Sequence, residues 1–200
     1  MPELMVDLIT SLDGYASAEG WPGWWGLEGP EYLGWLEEQP EGAYEVLLGA
    51  TTYRLMSQMS TDAAGGQGEY RPDEAESLTG LDAVPKVVFS STLREPLAWP
   101  NTRLVSTDPV EAVRAMKRDG STSMRTLGSL TLCRSLLAAG LVDRFRLVVF
   151  PVVTGATGRE RVYDGYPDVA LELVESRTFD GRSQLLEYVP TVLKGPPGAG

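Results

Sequence analysis

Residues Leu127–Gly155 read LGSLTLCRSLLAAGLVDRFRLVVFPVVTG, and this run decides the fold class. Met124 to Leu127 is a short strand, Gly128-Ser129 makes a tight turn, and Leu130 to Ala139 has helical spacing, with Leu132, Cys133, Leu136 and Leu137 on one face. Gly140 stops that helix, and Arg144 to Val153 follows as a long β-branched and aromatic strand. A strand, a helix and a second strand in direct succession belong to the alternation of a mixed α/β sheet. The loop GATGRE follows, and Val169 to Phe179 with Ser183 to Val189 form a hairpin around Asp180-Gly181.

Working upstream, Asp108-Pro109-Val110-Glu111 supplies a cap, a first-turn proline and an acid for a helix running to Arg118. Lys86 to Ser90 and Thr102 to Ser106 are strands. Thr61 to Leu81 is polar and glycine-rich, with room for one short helix from Pro72, and is the segment expected to be mobile. Tyr44 to Gly49 is an apolar strand leading into a helix over Ala50 to Gln58, begun by Thr51 or Thr52. Pro30 to Gln39 is a helix with Pro30 in its first turn. Glu3 to Thr10 is apolar on both faces, the mark of an interior strand, and Ser11 to Gly29 is a long loop rich in Gly, Pro and Trp. The sum is an α/β fold: a mixed, mostly parallel central sheet of about eight strands, about four helices, and a C-terminal antiparallel hairpin. One domain over residues 1–190 and a flexible tail over 191–200 are expected.

Composition narrows the function. The 200 residues include no histidine and one cysteine, Cys133, which removes a His-dependent triad and the usual zinc ligand sets. No G-x-S-x-G elbow is present either. Residues 1–50 hold ten acids and no Lys or Arg, together with four of the five tryptophans, whereas the other 150 residues are near balance. A net charge of -11 argues against a nucleic-acid surface, and no apolar run is long enough to span a bilayer. A cytoplasmic location is the expectation. The acidic, aromatic quarter suits either a solvated surface or a pocket for a flat, amino-bearing ligand stacked on Trp24 and Trp25.

Three strand ends pass into small or hydroxyl residues: Gly49-Ala50-Thr51-Thr52, Ser90-Ser91-Thr92 and Leu127-Gly128-Ser129-Leu130. At least two lead into helix N-termini, where free N–H groups attract phosphate, so a dinucleotide laid across the strand ends could meet all three. Neither G-x-G-x-x-G nor a P-loop occurs. Thr51 and Ser129 are equally readable as plain N-caps, and Cys133 as packing.

SLDGY, LLGATTY, KVVFSSTL, the block from Leu127 to Gly155 and the closing hairpin resemble the dihydrofolate reductase-like family. The likeness is to the branch holding the reductase domain of riboflavin biosynthesis, the C-terminal part of bifunctional deaminase-reductases, and it covers about residues 3 to 190. The resemblance implies a dihydrofolate reductase-like fold, a bound NADPH, and hydride transfer to a pterin- or pyrimidine-like heterocycle or an imine. By resemblance, Gly49, Thr51 and Thr52 lie at the pyrophosphate side of the cofactor. Ser90, Ser91 and Thr92 lie at the adenosine ribose, and Leu127, Gly128, Ser129 and Leu130 offer backbone N–H groups to the pyrophosphate.

Asp13 and Glu31 are the candidate catalytic acids, as proton donor or ring anchor, with a pKa raised by the tryptophan-rich surroundings. Asp13 also reads as an Asp-Gly turn residue, and Glu31 as a helix-start acid. Many relatives place Arg where this chain has Ala50 and Ser91, so Arg54 or Arg94 must replace that contact, or the cofactor is NADH or FMN. A non-catalytic nucleotide- or small-ligand-binding protein on the same fold is the alternative. A homodimer is expected, with Leu147 to Val153 as part of its contact.

Overall fold

The computed structural model describes residues 1–20, 25–39 and 44–195. Ten strands and five helices occur among them: β1 (Leu4–Ser11), β2 (Tyr15–Ala18), α1 (Pro30–Glu37), β3 (Tyr44–Gly49), α2 (Ala50–Ala64), α3 (Pro72–Gly80), β4 (Lys86–Phe89), β5 (Thr102–Val105), α4 (Pro109–Asp119), β6 (Ser123–Thr126), α5 (Leu130–Ala138), β7 (Arg144–Phe150), β8 (Gly158–Arg161), β9 (Val169–Phe179) and β10 (Ser183–Val192). Eight form one sheet in the order β5-β4-β3-β6-β1-β7-β10-β9. β5 through β7 are parallel, and β10 returns antiparallel on β7 and carries β9.

Alternation along the strands splits the core between the two faces of this sheet. Leu4, Val6, Leu8, Leu47 and Leu147 point to the face covered by α4 and α5, where they meet Val113, Cys133 and Leu136. Leu48 and Val46 point the other way, to Tyr53 of α2, and Val148 and Phe150 point to Trp25, Tyr32 and Trp35 around α1. The expected helix start at Asp108 is present, its carboxylate accepting from Glu111 N at 3.0 Å. Lys86 opens β4 although it is almost wholly buried. Its ammonium donates to the Leu81 and Val84 carbonyls past the end of α3 and lies 4.6 Å over the Trp99 ring, and burial lowers its pKa to about 8.

Four expectations need correction. The Ser11 to Gly29 loop contains β2, which pairs with β8 inside the GATGRE region: Tyr15 opposes Arg161, and Ala18 opposes Gly158. The four residues of β2 are all half-buried and three of the four in β8 are exposed, so neither strand has an alternation to read, and their pairing depends on Gly158, where a Cβ would stand 2.7 Å from the Tyr15 ring. α2 runs six residues beyond Gln58, taking in Thr61, whose hydroxyl bonds the Ser57 carbonyl. β10 continues through Val192, into the stretch expected to be tail. β7 ends at Phe150 and lies between β1 and β10, so its edges are already paired and Leu147 to Phe150 cannot form a dimer contact.

Candidate cofactor and substrate site

β4, β3 and β6 are neighbours in the sheet, so the three small-residue turns that follow them lie side by side at one end. Two of the turns are joined. Gly128 and Ser129 are both left-handed, with φ of 56° and 64°, and this conformation turns the Ser129 hydroxyl away from its own helix. That hydroxyl accepts Gly49 N–H at 2.6 Å and donates to Thr52 Oγ1 at 2.8 Å. A Cβ on Gly49 would stand 3.1 Å from Ser129 Oγ, and one on Gly128 3.3 Å from Thr52, so both glycines permit the approach.

Ser129 occupies the N-cap position of α5 without capping it. Gly49 is the N-cap residue of α2, and Thr51 and Thr52 lie within the helix. No side chain caps either helix. Two helix N-termini, from Ala50 and Leu130 onward, therefore present their first N–H groups and positive dipole ends beside one another. Such a pair suits a pyrophosphate.

The third turn is closed by Ser90, whose Oγ accepts from Thr92 N and Leu93 N, each at 3.1 Å. Phe89, just before it, is in register with Gly49. Ser91 and Thr92 are exposed. Arg94 folds back on the same turn, Nη1 donating to the Ser91 and Leu93 carbonyls at 3.1 and 2.8 Å, so a guanidinium stands at the turn that lacks one in sequence.

Asp13 lies past the end of β1, beside a cleft of about 320 Å³ that also touches Thr10, Ser11 and Tyr163. Its carboxylate accepts from Ser11 Oγ at 2.7 Å, Thr154 N at 3.2 Å and Gly155 N at 2.9 Å. The Ser11 hydroxyl and the Gly155 amide hold its pKa down to about 2, the reverse of the expected rise. Asp13 is an ionised acceptor that ties the β1–β2 turn to the loop after β7, not a stored proton.

Glu31 is also differently employed. Asp180, in the β9–β10 turn, accepts Glu31 N at 3.1 Å and Tyr32 N at 3.3 Å, and Glu31 Oε2 accepts Asp180 N in return. This is a reciprocal cap of α1 built from residues 149 apart, and Gly29 is required there because a Cβ would fall 2.2 Å from Asp180 Cγ. The Glu31 carboxylate thus faces the hairpin turn.

Trp25 is buried against Phe150 and Tyr32, whereas Trp24 lies outside the described residues. Sequence reasoning passed over Glu28, counted there only as one acid of ten. It is 3% exposed, Oε1 accepts Trp25 N at 3.0 Å, and Oε2 has no partner. Desolvation raises its pKa. A buried polar atom left unsatisfied costs about 1–3 kcal/mol. The signal in sequence was an acid set between Leu27 and Gly29-Pro30 in an aromatic run, which is visible only in retrospect.

Cys133 is fully buried and its thiol is pushed up to about 12, so it packs and does not react. A larger concavity of about 660 Å³ opens at the far end of the sheet, but its bases are already paired: Lys117 with Asp143, Arg114 with Glu111, Arg118 with Asp119. Among the described residues no cluster of His, Cys, Asp or Glu suits a metal ion, and no helix is long and apolar enough to cross a membrane.

The family model for the RibD C-terminal domain matches residues 2–185, from the first strand into the closing hairpin. The chain belongs to that family. An uncharacterized protein of Bacillus subtilis (strain 168), YyaP, is 26% identical over 181 residues, covering 88% of each chain. Among solved structures, a pyrimidine reductase-like protein of Corynebacterium diphtheriae superposes with a TM-score of 0.63 at 16% identity, over 95% of this chain and 92% of that one. Dihydrofolate reductase from Enterococcus faecalis, complexed with NADP(H), gives a TM-score of 0.59 at 15% identity, over 94% and 96%. The mixed sheet, its flanking helices and the closing hairpin are the dihydrofolate reductase-like fold, and family and fold together point to reductase chemistry.

Proposed function

We propose that the protein is an NADPH-dependent reductase that transfers a hydride to a small heterocyclic or imine substrate. The observation that carries this reading is the seam at Ser129, which holds two uncapped helix N-termini together beside the Ser90 turn. Across that seam, the N–H groups of α2 and α5 would hold the pyrophosphate. Gly49 and Thr52 on one side, and Leu127, Gly128 and Leu130 on the other, would line it, with the adenosine ribose at Ser90, Ser91 and Thr92. Arg94, whose guanidinium folds onto this turn, would meet a 2′-phosphate in place of the arginines absent at Ala50 and Ser91.

The cofactor supplies the hydride, so the chain has to orient two rings and exclude water. Asp13 holds the β1–β2 turn against the 154–155 loop beside the end of β1, where the cleft of about 320 Å³ would admit a substrate. A homodimer would use surface other than β7; β9 is the sheet's edge, with Leu171, Leu173 and Val174 exposed.

Titrating the protein with NADPH, NADH and FMN while following tryptophan fluorescence tests the reading. Micromolar NADPH binding, with NADH at least ten-fold weaker, is expected. Equal binding of the two pyridine nucleotides would assign NADH, and FMN binding alone would assign a flavin site. Binding of none of them, or nucleotide binding without oxidation of NADPH over a panel of pterins, pyrimidines and imines, would favour a non-catalytic binding protein, which the ionised Asp13 and the engaged Glu31 make the second reading.

A further inference from the structure

β9 is the long edge of the eight-stranded sheet. The opposite edge, β5, has 4 residues, whereas β9 has 11, with neither Lys nor Pro among them and with Leu171, Leu173 and Val174 exposed. Short length, Lys and Pro are the usual devices that keep an edge from pairing, so β9 is open to a further strand. The one irregularity it carries is a bulge, and the bulge limits which strand fits.

Glu187 of β10 opposes Glu175 and Tyr188 opposes Leu173, which leaves Val174 as the extra residue. Opposed residues of an antiparallel pair point to the same side. Ala170, Glu172, Glu175, Arg177 and Phe179 therefore share the α1 side of the sheet, and Leu171, Leu173, Ser176 and Thr178 share the side of Tyr188 and the α5 core. Glu172 is exposed and has no ion pair among the described residues. Arg177 is half exposed and pairs with Glu175 at 3.1 Å, a contact that occupies only part of its donor fork.

A second β9 is the occupant that fits. In a two-fold antiparallel pair each residue must meet one from its own side, and charge then selects the register. Centring the pair on Val174 or on Glu175 opposes residues of unlike sides. Centring it between Leu173 and Val174 sets Glu172 against the partner's Glu175, twice. Centring it between Val174 and Glu175 sets Glu172 against the partner's Arg177, twice, with Leu171 against the partner's Thr178 and Ala170 against the partner's Phe179. Directly opposed like charges destabilise a sheet and opposite charges stabilise it, so the last register wins.

We propose that two copies of the chain pair through β9, antiparallel and in this register, which joins two eight-stranded sheets into one and closes two Glu172–Arg177 ion pairs between copies. The proposal rests on the homodimer reading above and not on nucleotide binding or hydride transfer. The same register sets Val169 against the partner's Asp180, so the strand of each copy ends beside the reciprocal cap that holds the other's α1.

Sedimentation equilibrium of the full chain tests it. The wild type should be a dimer in the micromolar range, at twice the 21.7 kDa chain mass, and E172R and R177E should each dimerise at least ten-fold more weakly, with far-UV circular dichroism unchanged. E172R chains mixed with R177E chains should form a heterodimer at about wild-type affinity, because every Arg in the pairing then faces a Glu. The double variant E172R/R177E should pair with itself for the same reason. Recovery on mixing is a readout that a structural role within one chain would not produce.

A monomeric wild type, a dimer that R177E leaves intact, a dimer that E172R tightens, or no recovery in the mixture and the double variant would each overturn the proposal. Titrating the same proteins with NADPH keeps the two readings apart. A monomeric wild type that binds NADPH would remove the β9 pairing and leave the reductase reading, and a dimer that recovers on mixing but ignores NADPH would uphold the pairing and remove that reading.

Discussion

The two halves of the site are built by different means. The seam between β3–α2 and β6–α5 is made of backbone and the smallest side chains: Gly49, Gly128, Ser129 and Thr52, each within a few residues of a strand end. The half formed by the β1–β2 turn and the start of α1 is made of carboxylates that reach across the chain. Asp13 bonds Gly155, 142 residues away, and Glu31 and Asp180 bond each other over 149. The first construction suits an anion at two adjacent helix N-termini. The second holds loops, and in doing so engages the two acids that looked most chemical.

Substitutions can break each half separately. The largest effect is expected from G29A, which puts a methyl group 2.2 Å from Asp180 Cγ and must displace the reciprocal cap of α1. A loss of about 3 kcal/mol in urea unfolding, near the top of the overpacking range, is expected. D180A, which removes the cap without a clash, should cost about 1–2 kcal/mol in the same assay.

S129A tests the other half. It leaves Gly49 N–H without its acceptor, at a cost of about 1–3 kcal/mol, and loosens the two helix N-termini, so NADPH affinity should fall about ten-fold. Wild-type affinity in a stable S129A would show that the seam is structural. R94A sharpens the comparison further: NADPH should weaken about ten-fold while NADH is unchanged, a loss of one charge-assisted contact.

The smallest effect concerns pH. Asp13 has a folded pKa of about 2 against 3.8 for the free side chain, so its contribution to stability is complete above the unfolded value and disappears as pH falls through about 2. The difference in urea midpoint between wild type and D13N should therefore be present at pH 5 and shrink between pH 4 and pH 2. A difference that stays constant over that range would show that the Asp13 bonds do not depend on its charge.

The same contrast explains what could be read from sequence. The order of strands and helices in the main sheet follows from apolar spacing and from punctuation at Gly49, Asp108, Gly128 and Gly140, because those signals are local. The adjacency of the three turns was also legible, since parallel strands place their ends together. The pairing of β2 with β8 was not, because two four-residue strands without alternating burial have no period to display. The roles of Asp13, Glu31 and Glu28 were not legible for a related reason. A carboxylate's partner decides whether it is a cap, a clasp or an open acceptor, and here those partners are Asp180 and Gly155, far away in sequence, or no residue at all.

The central claim is that a pyridine nucleotide lies across the Ser129 seam. Amide hydrogen exchange with and without saturating NADPH tests it most directly. The account predicts that exchange slows at the first turns of both α2 and α5, Ala50 to Thr52 and Leu130 to Leu132, with a further slowing at Ser90 to Leu93. Protection at only one helix start, or protection elsewhere with both of these unchanged, would contradict it.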